Sequence, residues 1–159
     1  MRRARYWTTA AVTKARTIII GYGNPLREDD GMGWRAAELL EQKLPAGDAE
    51  LIECHQLTPE LAASIQGASM VLFLDAACDC APGAVSLEPV RAEGAVVWSH
   101  HLTPGQLLTL SNQLNGHIPT AFLIRGGVES MELREGLTAL GEATAARMAD
   151  QAYACLSRT

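Results

Sequence analysis

Thirteen consecutive residues constrain this chain most: Gly21-Tyr22-Gly23-Asn24-Pro25-Leu26-Arg27-Glu28-Asp29-Asp30-Gly31-Met32-Gly33, directly after Thr17-Ile18-Ile19-Ile20. Three successive isoleucines read as a strand buried on both faces, where alternation is not needed. Beyond Gly31, the apolar residues Met32, Ala36, Leu39, Leu40 and Leu44 recur at helical spacing until Pro45 stops the helix. A strand, a glycine loop and a helix normally make an anion-binding turn. Here the loop carries Glu28, Asp29 and Asp30, and three carboxylates at a helix N-terminus repel a phosphate and suit a cation. The dinucleotide fingerprint G-x-G-x-x-G fails as well. Gly21 and Gly23 fit it, but its third glycine falls at Leu26, so close packing of helix on strand is not expected from it. A helix cap explains one aspartate, not the pair Asp29-Asp30 between two glycine clusters.

Further along, the same alternation continues. Glu50 to Cys54 reads as a short strand, and Thr58-Pro59 opens a helix through Leu61 and Ile65. Val71 to Leu74 is a second continuous apolar strand, ending at Asp75. Ala84 to Val90 alternates as an edge or antiparallel strand. Thr103-Pro104 starts a helix closed by Gly116, and Ala121 to Ile124 is a strand ending at Arg125-Gly126-Gly127. A final helix runs from Thr138, as N-cap, to about Ser157. The expected fold is an α/β three-layer sandwich: a central, mostly parallel twisted sheet of about five strands with helices on both faces.

In such sheets ligands bind beyond the carboxyl ends of the strands, where strand order reverses. Asp30 follows the first strand, Asp75 ends another, and His100 and His101 precede the helix beginning near Thr103. Two carboxylates and an imidazole are thus expected to converge from separate loops.

Composition narrows the function classes. A hydrophobic fraction of 48% over 159 residues excludes disorder and suffices for one domain with a real core. A net charge of -5 gives no footprint for nucleic acid. The basic start (Arg2, Arg3, Arg5, Lys14, Arg16) encloses an apolar stretch too short and too polar for a signal peptide, and no run approaches a membrane span. A cytoplasmic protein is expected. Cys54, Cys78, Cys80 and Cys155 are too few and too scattered for a disulfide framework. Cys78-Asp79-Cys80 is half of a thiolate metal site without a second cysteine pair, and reads as reduced thiols in a loop.

With these residues assembled, the chain resembles the hydrogenase maturation endopeptidases, which process the large subunit of nickel–iron hydrogenases. The matching segments are Gly21-Tyr22-Gly23-Asn24-Pro25-Leu26, Asp29-Asp30-Gly31-Met32-Gly33, Leu74-Asp75-Ala76, Ser99-His100-His101-Leu102-Thr103-Pro104 and Gly126-Gly127-Val128-Glu129. The resemblance covers Thr17 to about Leu156 in matching order. It implies residues 16–159 as a single α/β protease domain, with residues 1–15 as a loose N-terminal extension.

The resemblance further implies that Asp30, Asp75 and His101 contact nickel. The metal is carried by the substrate rather than held permanently, and it marks a completed precursor whose C-terminal peptide is then removed. Some family members place the histidine within the following helix, where this chain has Gly105; His100 is adjacent to His101. Carboxylate and imidazole suit a borderline divalent ion, and three ligands leave positions open. The catalytic set implied is Asp29, Asp30 and Asp75, with Asp29 or Glu28 as a base for a metal-activated water; alternatively nickel only positions the chain. No GxSxG or HExxH is present. The implied partner is the large-subunit precursor, and a monomer is expected. The alternative function is a non-catalytic, nickel-sensing binding module or chaperone for the same subunit.

Overall fold

A computed structural model describes residues 15–94 and 101–158. The extension expected over residues 1–15 falls, except for Ala15, outside the described residues, as does His100. The elements are β1 (Thr17–Tyr22), a 3-10 helix (Glu28–Gly31), α1 (Met32–Lys43), β2 (Glu50–Cys54), α2 (Leu61–Ser64), β3 (Met70–Ala77), β4 (Val85–Pro89), α3 (Pro104–Asn115), β5 (Thr120–Gly127) and α4 (Ala139–Ser157). The sheet order is β2-β1-β3-β5-β4. All neighbours are parallel except β4, which pairs antiparallel with β5 at the edge. The expected three-layer α/β architecture is the one observed.

The apolar runs sit where both sheet faces are covered. On one face Ile18, Ile20, Val71 and Phe73 pack under α2 and α3 with Ile65, Leu107 and Leu108. On the other, Ile19, Leu72, Leu74 and Ile124 meet Met32, Ala36 and Leu40 of α1 and Ala145, Met148 and Ala152 of α4. Fully burying one such side chain is worth about 1.5–3 kcal/mol, so these two clusters dominate folding.

Helix ends follow their sequence signals. Thr103 and Gln106 form a reciprocal capping box with Pro104 at the first turn, and Gly116 closes α3 at φ 67°. Thr138 caps α4 by accepting from the Gly141 amide.

Four local expectations are corrected. The helix opened by Thr58-Pro59 is only four residues long, because Gly67 at φ 72° turns the chain toward β3. The turn over residues 28–31 is a 3-10 helix rather than a simple loop. The third strand does not end at Asp75: it continues to Ala77, since β5 also runs on to Gly127 and pairs Asp75 with Arg125, Ala76 with Gly126 and Ala77 with Gly127. Finally, close packing of the first helix on the sheet is provided for, by Gly33. A Cβ there would lie 2.3 Å from the Leu74 carbonyl oxygen, and one on Gly21 would lie 2.5 Å from that of Gly33. Helix α1 therefore approaches β1 and β3 backbone to backbone, and this holds the acidic turn against the sheet.

Candidate active site

The chain leaves β1 toward β2 on one side, while β3 pairs on the other, so strand order reverses between β1 and β3. Ligand crevices of open α/β sheets lie at such a point, outside the strands' carboxyl ends. The glycine loop there is set by contact. Gly23 has φ 136°, and a Cβ on it would fall 2.0 Å from the Asp30 carbonyl oxygen. The Asn24 side-chain oxygen accepts from the Leu26 amide at 3.0 Å, and the Asn24 amide donates to Asp30 Oδ2 at 3.0 Å. Half-buried Asp30 is thereby turned back over the loop at the end of β1.

Asp75 stands beside it on β3. Strand parity puts Asp75 on the face of Val71 and Phe73, and Tyr22 on the face of Ile18 and Ile20. The Tyr22 phenol donates to the Asp75 carboxylate, and Arg125 pairs with Asp75 in register from β5. Burial pushes the Asp75 carboxyl from 3.8 up to about 6; the Tyr22 hydrogen bond, the Ala76 amide and the Arg125 charge hold it down, and the Asp30 charge adds to the rise. Burial, then the Asp75 charge, lifts the Tyr22 phenol well above its ordinary range, so it stays a donor. Arg125 is itself anchored by an ion pair with Asp79. A carboxyl poised near neutrality beside a second carboxylate suits proton transfer.

Asp29, expected as a candidate base, is placed differently from Asp30. It is fully buried, and both of its oxygens are occupied. Oδ2 accepts from the Glu129 amide at 2.9 Å and the Ser130 amide at 3.4 Å; Oδ1 accepts from the Thr138 amide at 2.9 Å, and the Thr138 hydroxyl lies within 3.0 Å of both oxygens. A Cβ on Gly141 would fall 2.0 Å from Oδ1. Asp29 thus ties the acidic turn to the loop after β5 and to the N-terminus of α4. Glu28 is likewise structural. It is 6% exposed, at φ 43°, with its carboxylate 3.4 Å from an Arg134 nitrogen and its amide on the Arg134 carbonyl. Of the acidic candidates, Asp30 and Asp75 are the half-buried pair, near the carboxyl ends of β1 and β3.

His101 is exposed in the turn before α3, whose start is held by the Leu102 amide on the Leu57 carbonyl. Among the described residues no group of three His, Cys, Asp or Glu side chains stands close enough to hold a metal ion. Asp30 and Asp75 come together; His101 is not gathered with them into a closed set. A histidine at position 105 has no room, because a Cβ on Gly105 would lie 2.7 Å from the Glu93 side chain and 2.8 Å from the Arg91 carbonyl oxygen. A groove of about 550 Å³ opens from Tyr22 and Asp75 between Val90, Leu123, Leu102 and Pro104. Its volume falls within the range of ligand-binding clefts.

Sequence reasoning missed Tyr22 and Arg125. The signal for Tyr22 was strand parity, which puts it on the face of Ile18 and Ile20. The Asp75–Arg125 pair needed the register of β3 on β5, which a single sequence does not carry.

No protein-family model matches the chain, and no curated protein matches it. Solved structures do. The chain is similar to the hydrogenase maturating endopeptidase HybD of E. coli, with 26% identity, 90% of this chain and 93% of that chain covered, and a TM-score of 0.74. It is similar to the nickel–iron hydrogenase maturation protease HycI of Thermococcus kodakarensis, at 25% identity over 92% and 95% of the two chains, with a TM-score of 0.71. An endopeptidase of Escherichia coli shares the fold at 22% identity, over 90% of this chain and 93% of that one, with a TM-score of 0.72.

Proposed function

We propose that this chain, a member of the hydrogenase maturation endopeptidases by fold and motif, removes the C-terminal peptide of a nickel–iron hydrogenase large-subunit precursor in a nickel-dependent reaction. The observation carrying this reading is the pairing of Asp30 and Asp75 at the reversal point of the sheet, with a groove leading away from Asp75.

Nickel enters as part of the substrate. Among the described residues no third His, Cys, Asp or Glu joins the two carboxylates, and the precursor's own ligands would complete the coordination sphere. Asp30 and Asp75 supply hard anionic donors to that metal, and His101 is the imidazole in the turn before α3. The metal's chemistry is to fix the scissile bond and polarise what is bound beside it. The remaining work belongs to the chain. The Tyr22 hydroxyl orients Asp75 by its hydrogen bond and the Arg125 charge favours the ionised carboxylate, so that Asp75 can take the proton of the attacking water and return it to the leaving amine. The groove beside Asp75 would receive the tail and hold the scissile bond near the carboxylate pair.

Intact mass measured on nickel-loaded precursor after incubation with this protein tests the reading. Loss of a C-terminal peptide with the wild-type chain, but not with Asp30→Asn, is the expected result. A stable complex with no mass change would make the chain a nickel-sensing binding module instead.

A further inference from the structure

Two of the loops around the carboxylate pair hold leucines out into water. Leu133, in the loop after β5, is 85% exposed, and Leu26, in the glycine loop, is 54% exposed. Among the described residues no large apolar side chain is more exposed than Leu133. The two loops are bonded to each other. Arg27 and Arg134, the residues directly after the leucines, form a parallel bridge, and the Glu28 amide donates to the Arg134 carbonyl at 2.9 Å. The Asp29 amide donates to the Ser130 carbonyl at 3.2 Å, and the buried Asp29 carboxylate takes the Glu129 and Ser130 amides. Within the glycine loop, Asn24 accepts from the Leu26 and Arg27 amides, each at 3.0 Å, and the Arg27 carbonyl accepts from the Asp30 amide at 3.1 Å.

A lone exposed leucine needs no explanation, because much of any protein surface is apolar. This pair differs. Its backbone is fixed before anything binds, so covering the leucines costs little ordering entropy. It also shares a loop with Asp30. Strand parity puts Asp75 on the face of the sheet that α3 covers, and its groove opens there. The acidic turn and the loop after β5 lead instead into α1 and α4, which cover the opposite face. The carboxylate pair therefore lies between the groove and the leucines. A peptide bond cut at that pair joins a tail to a folded body, and a tail in the groove leaves the body on the leucine side. Arg134 is already paired with Glu28 at 3.4 Å, while Arg27 is exposed beside Leu26. The complementary surface is apolar with a carboxylate at its rim.

We infer that Leu26 and Leu133 form the docking point for the folded body of the large-subunit precursor, which meets them with an apolar patch and meets Arg27 with a carboxylate. The identity of this partner rests on the peptidase reading above. The substrate is thereby divided between two surfaces: its tail in the groove beside Asp75, its body on the leucine pair, and the scissile bond at the carboxylates between them. The leucines touch no reacting group, so they act on substrate affinity rather than on the chemical step.

The test reads binding and processing separately, using the full-length chain and nickel-loaded precursor. Biolayer interferometry gives Kd, and intact mass over a range of precursor concentrations gives KM and kcat. Leu26→Asp and Leu133→Asp should each weaken binding by about tenfold or more. Leu133→Asp should raise KM in proportion while kcat stays within about threefold of wild type. Leu114→Asp, at a leucine 63% exposed near the far end of α3, should change neither. Circular dichroism on each variant separates lost binding from lost fold. Binding by folded Leu133→Asp within about threefold of wild type overturns the docking point, as does an equal loss in Leu114→Asp or a precursor that the wild-type chain does not bind. Sedimentation velocity adds one further outcome: a wild-type dimer that Leu133→Asp dissociates gives the leucines to a second copy and overturns it too. Binding lost in Leu133→Asp with no cleavage by wild type would support the docking point while the peptidase reading fails.

Discussion

The Tyr22 phenol donates a hydrogen bond to the Asp75 carboxylate across the seam between β1 and β3, where the strand order of the sheet reverses. This bond works against burial, which drives the Asp75 carboxyl up to about 6. Tyr22→Phe keeps the ring in the core and removes only the hydroxyl. Losing a hydrogen bond to a charged group, about 1.5–3 kcal/mol, corresponds to roughly one to two pH units. The Asp75 carboxyl should therefore titrate higher, and the acid limb of the processing rate should move up by roughly one to two units. An unchanged profile would remove Tyr22 from the site.

Asp75 should cost the fold stability at neutral pH. Its carboxyl rises from 3.8 in the unfolded chain to about 6 in the folded one, so the native state keeps a proton that the unfolded state releases. Stability falls as pH climbs from about 4 to 6 and stays reduced above that. Asp75→Asn has no such penalty. It should match wild type near pH 3 and be more stable by about 1–3 kcal/mol at pH 8, while losing processing. Urea denaturation at the two pH values measures this, and equal stability at both contradicts it.

Adjacent aspartates should behave in opposite ways. Asp29→Asn turns an amide donor toward the donors of Glu129, Ser130 and Thr138, and should cost about 2–4 kcal/mol in chemical denaturation. Asp30→Asn, in the half-buried glycine loop, should cost about 1 kcal/mol or less yet abolish processing. The reverse pattern would exchange their roles.

Helix α1 owes its close approach to Gly33. Gly33→Ala drives a methyl into the Leu74 and Tyr22 carbonyl oxygens, at 2.3 and 2.7 Å, and only backbone movement relieves it. The expected cost is about 1–3 kcal/mol of overpacking, with processing per folded molecule reduced as Asp30 moves with the helix. Thermal unfolding alongside active-fraction measurement checks both parts.

What was legible in the sequence was the scaffold and the location. Ile18 to Ile20 and Val71 to Leu74 announced central strands by continuous apolarity, and Thr103, Gly116 and Thr138 marked helix ends by side-chain chemistry that acts locally. Local signals survive folding because their partners lie within one turn. Asp29 read as a catalytic neighbour of Asp30 because its actual partners, Glu129, Ser130 and Thr138, lie about a hundred positions away. Asp75 looked like the end of a strand because the pairing that extends β3 comes from β5. His101 was placed by order along the chain, which fixes its edge of the sheet but not its distance from the two carboxylates.

The most direct test of substrate-borne nickel uses chelator-treated protein mixed separately with nickel-loaded and nickel-free large-subunit precursor, followed by intact mass. The chelated protein should remain folded and should remove the C-terminal peptide from nickel-loaded precursor alone. If it cleaves nickel-free precursor once Zn²⁺ or Ni²⁺ is added back to it, the chain is a self-sufficient metalloprotease and the role assigned to Asp30 and Asp75 toward a substrate-held metal is contradicted.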